Sequence, residues 1–315
     1  MTEEKLSARV LGAWSAAAML GPMAQFLGSL PWNVTALLGA GAVCLYLCAM
    51  RWGRTGGRYL PWVQAAGLTV LLAASAGYCG DCWTGRENTW FIPAALLALA
   101  AAGASGGPKR CSAAGATLLW GLAGLTAVLL VFAIPEIKGQ WLRPRWTWGG
   151  GWGAVVMLLP CTGALLPRGR GRYWSWGLAL LAVGTAVSLV AAGCISPWAA
   201  EERCGAFFAA VQNIQISGVA ERFDALIAGV MTISWYCLMS MLLSAVRCLT
   251  GEGAGKWTVW ASALAAFLGS SAARALNGWM LALLEGTVLF LAPVAAGKFL
   301  SKKVKKGVDK GREVW

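Results

Sequence analysis

The chain has 315 residues, 58% of them hydrophobic and 12% charged, with a formal net charge of +13 and no histidine, and its mean hydropathy is +0.63. That is more apolar surface than a soluble domain of this length can bury, so the whole of 1–315 reads as one polytopic membrane domain. The absence of His excludes His-based triads, His general bases and the common zinc motifs; no nucleophile–base or metal constellation replaces them, so an enzyme is not expected and no metal or cofactor is implied.

A bilayer core of about 30 Å needs roughly 20 apolar residues per helix. Stretches of that kind predict ten transmembrane helices, over 8–28, 33–50, 59–78, 90–105, 112–134, 148–166, 173–195, 222–247, 257–275 and 278–298. Runs such as "GLAGLTAVLLVFA" are rich in Ala and Leu and lack a period of two, which argues against strands. The first span carries "AAMLGPMAQ", with Gly21 and Pro22 at its middle. Pro removes a backbone donor and Gly tolerates unwinding, so this helix is a candidate for a break in the membrane, an ordinary kink being the alternative.

The third span leads into "YCGDCW". Its Cys79 and Cys82, with Cys194 and Cys204, fall on the outer side, where a disulfide and free thiols are both open. The sixth span carries "VMLLPCTGALLP", with Pro160 and Gly163 placed as Gly21 and Pro22 are in the first. The eighth opens with "GVAERFDALIAG". Glu221 and Asp224 occupy its first turn, where acids complement the helix N-terminus, and Arg222 points elsewhere. "GEGAGKW", over 251–257, lacks the spacing of a phosphate loop and reads as a turn. In the tenth span Glu285 is an acid near mid-membrane, open as a proton or cation site and as a neutral, hydrogen-bonded or paired carboxyl.

Of the 26 Lys and Arg residues, Arg86, Lys138, Arg143, Arg145, Arg203, Arg222 and Arg274 fall on one side and the rest, with the basic tail 299–315, on the other. The positive-inside rule puts both termini in the cytoplasm and gives the basic loops a topological role, not a nucleic-acid one. Most of the 19 Trp residues, such as Trp62, Trp90, Trp146, Trp174 and Trp279, sit at span ends as an aromatic belt. Trp14 and Trp235 are exceptions, inside spans.

Gly/Pro-interrupted first helices of two groups of five point to an inverted repeat, the first over about 8–134 and the second over about 148–298, with a site at the midplane. The stretch "NIQISGVAERFDALIAGVMTISWYCLMSMLLSAV" is similar to the approach to the eighth helix in the GerAB-type spore germination permeases, with Glu221, Arg222, Asp224 and Ala225 in the motif positions. "EEKLSARVLG" and "FIPAALLALAAAGASGGPKRCSAAGATLLW" resemble the family's first helix start and its fourth and fifth helices. The resemblance implies the fold of the amino acid–polyamine–organocation (APC) transporter superfamily, a LeuT-like all-α five-plus-five repeat with helices 1 and 6 broken at the midplane. It implies a B subunit of a spore germinant receptor in the endospore inner membrane, beside an A-type membrane subunit and a C-type lipoprotein. A small germinant, typically an amino acid, would sit at Leu20, Gly21, Pro22, Met23, Cys161, Thr162 and Gly163, with Thr69 and Ser234 on the wall. The other reading is a secondary amino acid transporter driven by a proton or sodium ion, with Glu285 as the coupling group.

Overall fold

The computed structural model of the chain describes residues 5–52, 60–81, 90–148, 151–167, 169, 171–195, 207, 210 and 223–291. Among these residues the regular structure is helical. Helix α1 spans Ala8–Phe26 and tightens into a 3-10 turn at Leu27–Ser29; α2 is Trp32–Trp52, α3 Leu60–Asp81, α4 Phe91–Ser105 and α5 Pro108–Ala133. Helix α6 is a short α segment, Trp152–Leu158, that passes into 3-10 geometry over Leu159–Leu165, and α7 is Trp174–Cys194. The run Phe223–Arg274 leaves helical dihedrals at Gly251, with φ 82° and ψ 171°. It is therefore two helices, α8 over 223–250 and α9 over 252–274. Helix α10, Gly278–Gly286, widens into a π turn at Thr287–Leu291.

Local chemistry sets several of these boundaries. The Ser7 hydroxyl accepts from the Val10 N–H at the start of α1 (3.3 Å), and the Asn277 side chain accepts from Trp279 N–H at the start of α10 (3.1 Å). Helix α5 begins four residues before the expected 112, because Pro108 stands at its first position, where a missing N–H costs nothing. The turn expected over 251–257 contracts to Gly251 alone. Its dihedrals are open essentially only to glycine, and helix resumes at the next residue.

Among the described residues five helices are long and apolar enough to cross a membrane: Ala8–Ser29, Leu60–Cys79, Pro108–Glu136, Trp174–Cys194 and Ala228–Gly251. This matches the composition and is compatible with an integral membrane protein. Helix α1 is apolar all round and buried at nearly every position from Leu11 to Phe26, as a central helix must be. It packs against α5, α6, α7 and the Phe223–Arg274 run. Around it α2 lies on α7, α3 and α4 lie along the Phe223–Arg274 run, and α10 lies on α6.

Polar contacts fasten this bundle at its ends. Ser188 of α7 donates to the Leu27 carbonyl (2.8 Å), which also accepts from Leu30 N–H (3.0 Å), and pairs with the Thr35 hydroxyl of α2 (2.8 Å), so the 3-10 turn is tied to α7 and α2 inside the core. Arg247 of α8 donates to the Ala104 carbonyl (2.7 Å) and to that of Ser105, the last carbonyls of α4, where a cation also suits the helix dipole. The connector between α5 and α6 is pinned to α2 by Asn33, which donates to the Arg145 carbonyl (2.7 Å) and accepts from its N–H (3.2 Å).

Candidate functional site

Helix α1 runs through Gly21 and Pro22 without unwinding, which corrects the expected break. The Ser234 hydroxyl of α8 docks on this turn, accepting from Gly21 N–H (2.6 Å) and donating to Ala17 O (2.7 Å), the donor and acceptor that a regular helix pairs with each other. The contact ties α1 to α8 and leaves the buried Ser234 hydroxyl satisfied. Pro22, with no N–H, removes the next bond along. Gly21 is required for the approach: a Cβ there would lie 3.0 Å from both Cβ and Oγ of Ser234.

The sixth span does change geometry where Pro160 interrupts it, but as a 3-10 segment, every residue of which is buried. Cys161 and Thr162 are fully buried, and the Thr162 hydroxyl donates back to the Leu159 carbonyl (2.7 Å).

Helices α1, α3, α6 and α8 meet around a cavity of about 20 Å³, lined among others by Pro22 and Phe26, Ser75 and Tyr78, Trp152 and Leu159, and Trp235. That volume holds about one water molecule. Three of the lining side chains form an aromatic cluster: Phe26 and Tyr78 are 5.1 Å apart edge to face, Phe26 and Trp152 5.2 Å apart and nearly parallel, and Tyr78 and Trp152 4.3 Å apart, edge to face. The Tyr78 hydroxyl donates to the Arg274 carbonyl (3.2 Å), which ties this cluster, a candidate lid, to α9. Trp235 is 2% exposed, and its Nε1–H has no hydrogen-bond partner. A buried donor left unpaired costs about 1–3 kcal/mol, so the walls of this cavity hold one unspent hydrogen bond.

The chain matches no protein-family model, and no characterised protein matches it. The site therefore has to be read from its own residues. Of those expected at a ligand, Gly21 and Ser234 come together, beside Pro22 on α1. Met23 and Pro160 line a separate apolar cavity between α1, α2, α6 and α7. Leu20 is buried in the core. Thr69 points away, donating to the Ala65 carbonyl (2.9 Å) and to Ser262 of α9 (3.1 Å). Gly163, with Cys161 and Thr162, lies in the 3-10 segment of α6.

Glu221 and Arg222 lie outside the described residues, as do Cys82 and Cys204; Asp224 and Ala225 fall in the first turn of α8. Cys79 is buried near the end of α3, and the half-buried Cys194 thiol lies 3.5 Å from the Ala133 carbonyl. Glu285 is fully buried on α10. The lid residues Phe26, Tyr78 and Trp152 were not foreseen. Their signal was aromatics near the ends of the first, third and sixth spans, the same signal that the belt residues give.

Proposed function

We propose that the chain is a B-type subunit of a spore germinant receptor, with the APC-type five-plus-five fold, both termini cytoplasmic and the endospore inner membrane as its site. It binds a small germinant, an amino acid by class, and passes a change of shape to an A-type membrane subunit and a C-type lipoprotein. The pairing of α1 with α6 and of α2 with α7 supports the inverted repeat, since these are corresponding helices of the two groups of five. The observation that carries the reading is the cavity between α1, α3, α6 and α8, the four helices that the resemblance assigns to the pocket, with the unpartnered Trp235 N–H on its wall.

At about 20 Å³ the cavity has room for nothing larger than water. Binding an amino acid requires the Phe26–Tyr78–Trp152 lid to part and α1 and α6 to separate, and that movement is the signal. The Trp235 donor is then spent on an acceptor of the ligand. Trp235→Phe removes the donor and keeps an aromatic wall. In spores carrying this chain with its receptor partners, the germinant concentration for half-maximal response rises about 2- to 10-fold, the equivalent of one neutral hydrogen bond. An unchanged dose response at normal receptor level would refute ligand contact at Trp235.

The second reading, an amino acid transporter coupled to a proton or sodium ion, draws on the fully buried Glu285.

A further inference from the structure

Helix α10 carries a buried polar group that the cavity does not use. Its buried residues are Gly278, Leu281, Ala282 and Glu285, one stripe of a helix, and the helix packs on α6 and α3. Glu285 is 0% exposed, and neither of its carboxyl oxygens has a hydrogen-bond partner. Immediately after it the helix widens into the π turn, where Gln64 of α3 donates to the Val288 carbonyl (3.0 Å). Single π turns interrupt the regular ladder and recur at functional positions.

The surroundings decide what such a carboxyl can bind. From α6 the Cys161 thiol comes within electrostatic reach, and the span Trp152–Leu165 holds no other titratable group. From α3 the polar neighbour of this region is Gln64; the titratable groups of that helix, Tyr78, Cys79 and Asp81, are all at its opposite end. Helix α10 and its π turn carry no second acid and no base. An ionised carboxylate without a donor or a cation is costly in an apolar interior. A hard divalent cation takes six or more oxygens, and the side chains named here supply the two of Glu285 and the one of Gln64. One proton neutralises the group with no further ligand.

We propose that Glu285 is a proton-binding site within the helix bundle, occupied in this conformation, and that release of its proton frees α10 from α6 with the π turn as hinge. The bond broken is the carboxyl O–H, and the proton passes to water that enters as the helices part. The resulting carboxylate is then solvated. Because the neutral acid fits this conformation and the anion does not, the conformation loses stability as pH rises; Gln at the same position stays neutral and removes that dependence. The inference is independent of the receptor reading and holds equally for a sensing subunit and a transporter.

The test is infrared spectroscopy of the full chain in lipid nanodiscs, wild type against Glu285→Gln, over a pH series in light and heavy water, with tryptophan emission followed in parallel. The expected result is a carboxylic-acid carbonyl band at neutral pH that Glu285→Gln lacks. It fades as pH rises, together with an emission change that the variant does not make. Carboxylate bands alone in the difference spectrum at neutral pH overturn the proposal. An acid band that added sodium removes at constant pH also overturns it, in favour of a metal-ion site. Emission that stays constant while the band titrates overturns the hinge. If the Gln variant does not fold, Glu285→Asp serves: its acid band shifts in frequency, and an unmoved band assigns the proton to another carboxyl and sinks the proposal.

Discussion

Ser234 is worth more as a clasp between helices than as a side chain in a pocket. Its hydroxyl bonds both the Gly21 N–H and the Ala17 carbonyl of α1. In Ser234→Ala these two backbone groups remain helical partners of each other, so the loss is about 1 kcal/mol and not two orphaned groups. Thermal unfolding followed with a thiol-reactive dye reports this well, because Cys161 and Cys237 are buried in the folded bundle. The expected outcome is a modest fall in the unfolding temperature; a fall as large as that of a core cavity would mean that the two groups are left unpaired. The sequence marked Gly21 and Pro22 as helix-weakening positions inside a span, and the resemblance put Ser234 on the pocket wall. That Ser234 meets Gly21 is a contact across 213 positions, which no local pattern encodes. Thr69, given to the wall by the same resemblance, turned to Ser262 instead, because orientation around a helix depends on which neighbours it acquires.

Among the elements, helix existence was legible and helix ends less so. The apolar lengths located ten helices among the described residues, five of them long and apolar enough to span a membrane, since a span is a property of about 20 consecutive residues. The junction of α8 and α9 was read as a seven-residue turn from its glycines and charges, yet the chain spends a single residue there. Gly251 has open space where a Cβ would point. Gly251→Ala therefore tests backbone strain alone, with an expected cost of about 1–3 kcal/mol. Differential scanning fluorimetry of the purified variant measures it, and an unshifted melting point would mean that the junction relaxes to ordinary dihedrals. Close by, Arg247 holds the last turn of α4 by its carbonyls, so damage at this junction should be felt in α4 as well. Pro160 was correctly placed as the point where the sixth span changes, but whether a Pro yields a gap or a tighter 3-10 segment depends on how closely the neighbours pack, and here every residue of that segment is buried.

At the scale of the molecule, the receptor and transporter readings share one fold and separate by flux. The chain reconstituted alone in proteoliposomes is expected to bind a radiolabelled amino acid from a panel without accumulating it, with or without a proton or sodium gradient. Concentrative uptake driven by either gradient would replace the receptor with the transporter. The centrally buried α1 touches α8 directly through Gly21, and Phe26 at its C-terminal end meets Tyr78 of α3 and Trp152 of α6.

The sequence by itself determined the class of solvent the chain is built for, and the helical nature and rough limits of the described segments. These follow from composition and from patterns no longer than one span, which neighbouring residues set among themselves. The tertiary structure decided that α1 runs unbroken and is clasped by Ser234, that three aromatic rings line a water-sized cavity, and that Trp235 and Glu285 are left with polar atoms unspent. Each of these depends on side chains brought together from distant helices, and the free energy of a buried polar atom is fixed by whichever partner packing provides or withholds.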